Sequence, residues 1–477
     1  VAKGISIVQD IPPKHKKVFE TISEAGAAID QDVFVVGGYV RDFYLNRTKK
    51  EEDLDIDFVT IGSGIGLAEK VAELLGTDRL SVFKQFGTAH IKYRDMDLEF
   101  VGARKESYRR NSRKPIVEDG TLEDDQLRRD FTINALSWSL NEEGYGELMD
   151  PFHGIQDLKK QLVRTPVDPL QTFDDDPLRM MRAIRFATQL QFDIEEQTYQ
   201  GIEEMADRIE IISKERIIEE LNKIVLAPKP SIGFAHLFKT GLLHHFFPEM
   251  VKLHGVDEVR GVRHKDNFWH TLKVLDNVAD MGGDLWLRWA AVMHDIAKPA
   301  TQKFVQGTGW TFHGHDALGA HWVKRIFRRL GLPLDERMRY VRKLVRLHLR
   351  PIALVSDEVT DSAVRRLIYE AGDDIDDLML LCRADITSKN DYKVKQYNRN
   401  FDYVEQKIEE VEAKDRLRKW KNPIKGDEIM EALDISPGPV IGDIKDAIKE
   451  AILDGKIPNE HDAAFEYMMS IKDEYIG

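Results

Sequence analysis

Apolar residues keep two different periods along the first third of the chain. "KHKKVFETISEAGAAI" (14–29) spaces them at three and four, which predicts a helix. "DVFVVGG" (32–38) is a continuous apolar run, read as a buried strand, and "LDIDFVTI" (54–61) is read as another. "GIGLAEKVAELLG" returns to helical spacing, and "GTAHIKYRDMDLEFVGARK" reads as two short strands around a turn. After about residue 165 strand signals nearly vanish. From "DDDPLRMMRAIRFATQL" onward apolar positions recur mostly at three and four, punctuated by Gly and Pro. The expected fold class is α+β: a mixed-sheet head with helices, then an extended all-helical body. "GDEIMEALDISPGPVIGDIKDAIKEAILDGKIP" reads as a compact final helical module with "SPGP" as its turn.

A chain of 477 residues with 42% hydrophobic residues holds several cores, about three domains by length. Cys382 is the single cysteine, so neither an internal disulfide nor a cysteine-rich zinc site is expected. No apolar run reaches about 18 residues, and the beginning of the chain lacks an apolar signal core. The expectation is a cytoplasmic protein without a membrane span. The net charge of −14 taken alone argues against a nucleic-acid partner. The charge is uneven, however: "KRIFRRLGLPLDERMRYVRKLVRLHLR" (324–350) holds ten Lys/Arg against two acids. Such a run is either a solvated helix face or a place where a polyanion docks.

Chemistry enters with "EEDLDIDFVTI" (51–61). In a strand, residues two apart share a face, so Asp55 and Asp57 project together, joined by Asp53 if the strand starts early. Two like charges so close repel unless a cation sits between them. A solvent-exposed sheet edge would carry the same pair without further meaning. About fifteen residues upstream, "VFVVGGYVRDFYL" places Gly37 and Gly38 between a strand and a helix opening near Val40, with Arg41 beside it. Glycines let a backbone approach a ligand, helix N-termini present free N–H groups to anions, and arginine pairs with phosphate. A phosphate-cradling turn followed by a carboxylate pair suits Mg²⁺ with substrate phosphates.

These residues, "VVGGYVRD…DLDIDFV", resemble the head of the DNA polymerase β nucleotidyltransferase superfamily. More closely they resemble class II tRNA nucleotidyltransferases (CCA-adding enzymes) and bacterial poly(A) polymerases. The resemblance implies that Asp55 and Asp57 bind catalytic Mg²⁺ and that Gly38 and Arg41, beside Gly37, contact the nucleotide. Glu99 in "DLEFV" is the candidate third acid. "LRRDFTINALSWSL" (127–140) resembles the family's RRDFTINA motif and implies nucleotide contacts for Arg128, Arg129, Asp130 and Asn134. Asp130 could equally cap a helix whose apolar face is Phe131, Ile133, Leu136 and Trp138. "DPFHGIQDL" resembles the next family segment, with His153 where a glycine is usual. "FDDDPLRMMRAIRF" resembles the EDxxR motif, with Asp175 where Glu is common. It places Asp176, Arg179, Arg182 and Arg185 three apart on an expected helix, where i,i+3 ion pairs are the plain alternative. The resemblance implies Asp176 and Arg179 as base readers, with Arg182 and Arg185 near the triphosphate. Cytosine and adenine each offer an amine beside a ring acceptor, which a carboxylate and an arginine match; guanine and uracil do not. The segment 100–131 is long, charged and nearly free of aliphatic residues, so a mobile loop is expected there, as in CCA-adding enzymes.

A second constellation lies in the helical body. His270 in "NFWHTLKVLDN", His294-Asp295 in "AAVMHDIAKP" and Asp385 in "CRADITSKN" resemble the ligand set of an HD domain. His315 and His348 match the further histidines of metal-rich HD domains and could hold a second ion. Imidazole and carboxylate suit Mn, Ni, Fe or Mg, and such domains in CCA-adding enzymes are associated with phosphatase and 2′,3′-cyclic phosphodiesterase activity. A relic that only packs against RNA is the alternative. The expected division is 1–165 head, 166–255 helical neck with the template helix, 256–400 HD domain and 401–477 helical tail. The expected activity is addition of CCA to the tRNA 3′ end from CTP and ATP, with tRNA held by its backbone at 104–114 and 324–350. A poly(A) polymerase, an A-adding enzyme and an HD phosphohydrolase are the alternatives. Oligomeric state is not legible.

Overall fold

The structure, a computed structural model, describes residues 11–47, 54–109, 112–259, 262–263, 265–356, 360–388, 390–415, 417–418 and 420–476. The chain divides into two compact units, Val1–Ile224 with Ala235–His245, and Val225–Phe234 with Phe246–Gly477. Among the described residues no helix is long and apolar enough to cross a membrane.

The first unit is built on a mixed sheet. Its strands are β1 (Val33–Val36), β2 (Leu54–Thr60), β3 (Leu80–Phe83), β4 (Thr88–Tyr93) and β5 (Met96–Gly102), with β8 (Ser137–Ser139) and β9 (Leu148–Met149). Their order across the sheet is β3-β4-β5-β2-β1-β8-β9. Only β2 and β5 run parallel. Helices α1 (Pro13–Ala28) and α3 (Gly64–Leu75) cover one face. Ile56, Phe58, Leu98 and Phe100 are fully buried there, with the rings of Phe58 and Phe100 stacked 5.1 Å apart. The strand period of two then turns Asp55 and Asp57 to the other face. The short helix α2 (Gly38–Tyr44) follows β1 through Gly37, whose φ of +74° is a glycine conformation.

Three local expectations are corrected. β6 (Arg104–Arg109) and β7 (Ser112–Asp119) form an antiparallel ribbon where a mobile loop was expected. The register sets Arg104 opposite Asp119 and Lys105 opposite Glu118, so charges that read as loop become complementary cross-strand positions. The RRDFTINA segment is no helix: α4 (Leu122–Leu127) precedes it, a 3₁₀ turn spans Thr132–Asn134, and the chain continues as β8 against β1. Asp130 instead accepts from the Phe131 N–H and the Asn134 amide. Asp176 lies off the template helix, in the link between α5 (Pro169–Asp175) and α6 (Leu178–Leu190). Pro177 explains this, because a residue before proline is pushed out of the α region, and Asp176 is extended (φ −145°, ψ 100°). His153 sits at φ +61°, which is why glycine is usual at that turn.

The second unit is helical apart from small ribbons such as Lys303–Val305 with Gly309–Thr311. Helices α7 (Asn267–Asp280), α8 (Leu285–Met293), α9 (His315–Leu330), α10 (Glu336–Leu347) and α11 (Ile375–Ala384) surround its core. Asp266 and Asp284 cap α7 and α8 through paired backbone N–H groups. Trp289 stands between Phe247 and Phe327, both fully buried. The final module forms as expected, with "SPGP" between Gly426–Leu433 and Pro439–Leu453.

Candidate functional site

The acid row comes directly from sheet register. Asp57 pairs with Glu99 and Asp55 with Asp97 across the parallel β2–β5 ladder. Next door on β4, His90 faces Glu99 (3.6 Å) and Lys92 faces Asp97 (3.7 Å). Burial pushes the Asp57 carboxyl up to about 6; Arg129 opposes this, while Glu99, Asp55 and Asp125 add to it. Burial and Asp97 also raise Asp55. A half-buried carboxylate so placed is short of positive charge, which a divalent cation would supply. Asp53 lies outside the described residues.

Beside Asp57 opens a cleft of about 500 Å³. It brings together Gly37, Gly38, Arg41, Arg128, Arg129, Asp130, Asn134, Asp176, Arg179, Arg182 and Arg185, residues drawn from segments more than 140 positions apart. Asp55 is not among its lining residues. Each arginine is aimed by a partner. Arg41 forks onto Asp42 at 2.8 Å twice and donates to Asn134 Oδ1 at 2.8 Å. Arg128 and Arg129 share Asp125, a fully buried carboxylate that they hold below its ordinary value despite burial. Arg182 pairs with Asp130 at 2.6 Å, and Arg185 pairs with Glu220. The guanidinium groups of Arg41, Arg182 and Arg185 lie over the Phe186 ring at 5.0, 5.5 and 3.9 Å. A Cβ at Gly37 would come within 3.0 Å of Arg129 Nη1 and 3.5 Å of Asp57 Oδ2, so glycine there lets the backbone approach both groups.

Asp176 and Arg179 share the cleft without touching through their side chains among the hydrogen bonds found. Asp176 accepts from Arg216 at 2.8 Å, and Arg179 Nη2 donates to the Arg128 carbonyl at 2.7 Å. Arg216, Asp125 and Glu220 were not singled out from sequence. Arg216 and Glu220 lie 35 to 40 positions from their partners, where no spacing rule reaches. Asp125 did carry a signal, since it stands three and four residues before Arg128 and Arg129.

The second unit assembles the histidine set. His270, His294 and Asp385 form one group of converging ligand atoms; Asp295, His315 and His348 form another. His270 Nε2 is 2.9 Å from Asp385 and 3.4 Å from Asp295, and His315 Nε2 is 3.3 Å from Asp295. His294, His315 and His348 each place Nδ1 on a backbone carbonyl at 2.6 to 2.7 Å, while His270 Nδ1 meets Thr387 Oγ1 at 3.0 Å. That arrangement orients every Nε2 inward, since a hydrogen bond at one ring nitrogen fixes the direction in which the other can ligate. His294 Nε2 is buried 3.2 Å from Asp295 Oδ2 and 3.7 Å from Asp385 Oδ1, without a well-directed hydrogen bond to either. Burial alone would lower the His294 pKa, but Asp295 and Asp385 outweigh it and push it up to about 10. Burial and His294 hold His348 down at about 4, neutral with its lone pair available. These donors fit one or two divalent ions.

Residues 33–164 match the Poly A polymerase head domain family, 191–253 the probable RNA and SrmB-binding site of polymerase A, and 267–389 the HD domain family. An A-adding tRNA nucleotidyltransferase from Deinococcus radiodurans is 31% identical over 439 residues, 90% of this chain and 93% of that one. A multifunctional CCA protein from Shewanella frigidimarina is 32% identical over 317 residues, 64% of this chain and 71% of that one. The crystal structure of the Bacillus stearothermophilus CCA-adding enzyme in complex with CTP shares the fold with a TM-score of 0.67. That likeness covers 97% of this chain and 99% of that one at 21% identity. The chain therefore belongs to the tRNA nucleotidyltransferases, enzymes in which a poly(A) polymerase-type head is here followed by an HD domain.

Proposed function

We propose that this protein adds C, C and A to the 3′ end of tRNA from CTP and ATP, releasing pyrophosphate. The carrying observation is that Asp176 and Arg179 line the same cleft as Asp57, Gly38 and Arg41. A carboxylate acceptor and a guanidinium donor together match cytosine and adenine and mismatch uracil and guanine. Arg41, Arg128, Arg129 and Arg182 would hold the triphosphate, each already aimed by a carboxylate, and Asn134 the sugar. Arg185, held by Glu220, would act by fixing Phe186 behind Arg41 and Arg182. The RNA 3′-hydroxyl oxygen would bond to the α-phosphorus as the bond to the leaving pyrophosphate oxygen breaks. Asp55 and Asp57, with Glu99 beside them in register, would hold Mg²⁺, which when bound acidifies the hydroxyl and steadies pyrophosphate.

The test is extension of a tRNA lacking CCA with CTP alone, ATP alone, then both, with products sized on a gel. Two additions with CTP and a third only with ATP support the reading. Long A tails would make the protein a poly(A) polymerase. Addition of a single A to a CC end alone would establish the second reading, an A-adding enzyme, which the relative from Deinococcus radiodurans favours.

The histidine set supports an additional phosphohydrolase activity. The chain's own residues there orient the imidazoles and place Lys298 at 2.6 Å from Asp295, at the mouth of the site. Hydrolysis of p-nitrophenyl phosphate or a 2′,3′-cyclic nucleotide with Mn²⁺ or Ni²⁺, lost in His294→Ala, is the expected result. Equal turnover by the variant would remove the proposal.

A further inference from the structure

We infer that the groove along α9 and α10 is a docking surface for the phosphate backbone of an RNA duplex, outside the nucleotide cleft. The inference rests on the tRNA reading above and names a surface and a chemistry for it. The groove has a volume of about 960 Å³ and lies wholly within the second unit. The family match assigned to RNA binding ends at residue 253, before either helix begins.

The sequence of α10 makes it a two-sided helix. Met338, Val341, Leu344 and Val345 are buried. Arg339, Arg342, Lys343 and Arg346 recur at three and four on the outer side, and Arg350 continues the row just beyond the helix. Lys324 faces them from α9, over a floor that includes Ala320 and Leu347. Neutralisation is incomplete. Lys343 pairs with Asp374 at 2.6 Å, Arg346 with Asp316, and Arg350 with Glu370 at 3.6 Å. Lys324, Arg339 and Arg342 have no carboxylate partner among the described residues. The chain has 83 acids against 69 Lys and Arg, so acids are not scarce. Three uncompensated cations along one groove repel one another until an anion joins them.

Extent and lining select the anion. From Arg339 to Arg346 the row is about 10 Å long at 1.5 Å per residue, with cations about one helical turn apart, and Arg350 carries it into the helix that begins at Leu349. Among the described residues His321 is the one aromatic side chain in the lining, with no Phe, Tyr or Trp beside it, so the groove offers little stacking surface for unpaired bases. Cations with so little stacking surface beside them contact phosphates and read no sequence, which suits a duplex whose bases are already paired.

The experiment uses the full chain and a 12-base-pair RNA hairpin, with affinity measured at several salt concentrations. Arg339→Gln/Arg342→Gln removes two exposed charges and leaves the core untouched. Hairpin affinity is expected to fall roughly tenfold, with a salt slope shallower by about 2, while CTP affinity stays unchanged. Arg325→Gln/Arg328→Gln removes equal charge from α9 outside the groove and should change little. Unchanged hairpin affinity and slope in the first pair would overturn the inference. So would equal loss in the control pair, which would mean net charge alone, or equal loss for a single-stranded oligonucleotide or tripolyphosphate. Absence of nucleotide addition by the unaltered protein would sink the tRNA reading and leave hairpin binding to decide the groove.

Discussion

Asp57 is where fold and chemistry oppose each other. Its carboxyl is pushed up to about 6 by burial and by Glu99, Asp55 and Asp125, against the pull of Arg129. A raised acid contributes stability that is fully present below the unfolded value near 4 and lost as pH rises through 6. In metal-free protein the ionised side chain is therefore a liability at neutral pH. Asp57→Asn should stabilise metal-free protein by about 2 kcal/mol at pH 8, with the difference gone by pH 4. Denaturant unfolding in EDTA at the two pH values measures it. The same variant should lose nucleotide addition on the order of 10³-fold, since a metal ligand supplies several kcal/mol of transition-state stabilisation. A variant less stable than the parent at pH 8 would contradict the electrostatic account. The pair Asp55 and Asp57 was legible because a strand's period of two forces them together. Their company was legible only in part. Arg216 and Glu220 meet the cleft through tertiary packing between residues tens of positions apart, and sequence spacing carries no trace of that.

At the scale of elements, the helices and the sheet follow from periodicity, and the errors cluster where a local signal was outweighed. The template segment reads as one helix because Asp176, Arg179, Arg182 and Arg185 recur at three. Pro177 interrupts it, and the signal was present in "DDDP". The break has a consequence for Asp176, which is held in extended backbone and turned to Arg216. Pro177→Ala would relieve the restriction and let Asp176 join a continuous helix. The expected result is a rise of roughly three- to tenfold in KM for CTP and more UTP misincorporation, with KM for tRNA unchanged. Equal KM for CTP and unchanged fidelity would mean that Arg216 alone fixes Asp176. The β6–β7 ribbon failed differently. Its charges matched the composition of a loop, and only the register sets Arg104 opposite Asp119 and Lys105 opposite Glu118, with Glu106 and Arg109 opposite Val117 and Ser112.

The whole molecule carries two centres in two compact units, and each unit supplies all the residues of its own centre. No side chain is shared, so the two activities should separate cleanly by mutation and by metal. A bound ion stabilises a fold by RT ln(1 + [L]/Kd), about 3 kcal/mol at a hundredfold excess over Kd. Protein stripped with EDTA should regain roughly that much in the unfolding of the second unit when Mn²⁺ or Ni²⁺ is restored, because the oriented imidazoles and Asp295 exist only in the folded state. His294→Ala should lose this response, since it removes a buried Nε2 that converges with His270 and Asp385. It should keep nucleotide addition within about twofold, because additivity holds for sites with no shared partners. Asp57→Asn should show the reverse, with the stabilisation by Mn²⁺ intact and addition lost. Calorimetry on both variants, with tRNA extension measured on the same preparations, checks the pattern. Loss of addition in His294→Ala with the first unit still folded would show that the centres are coupled, and the separation argued from the residues of each unit would have to be abandoned.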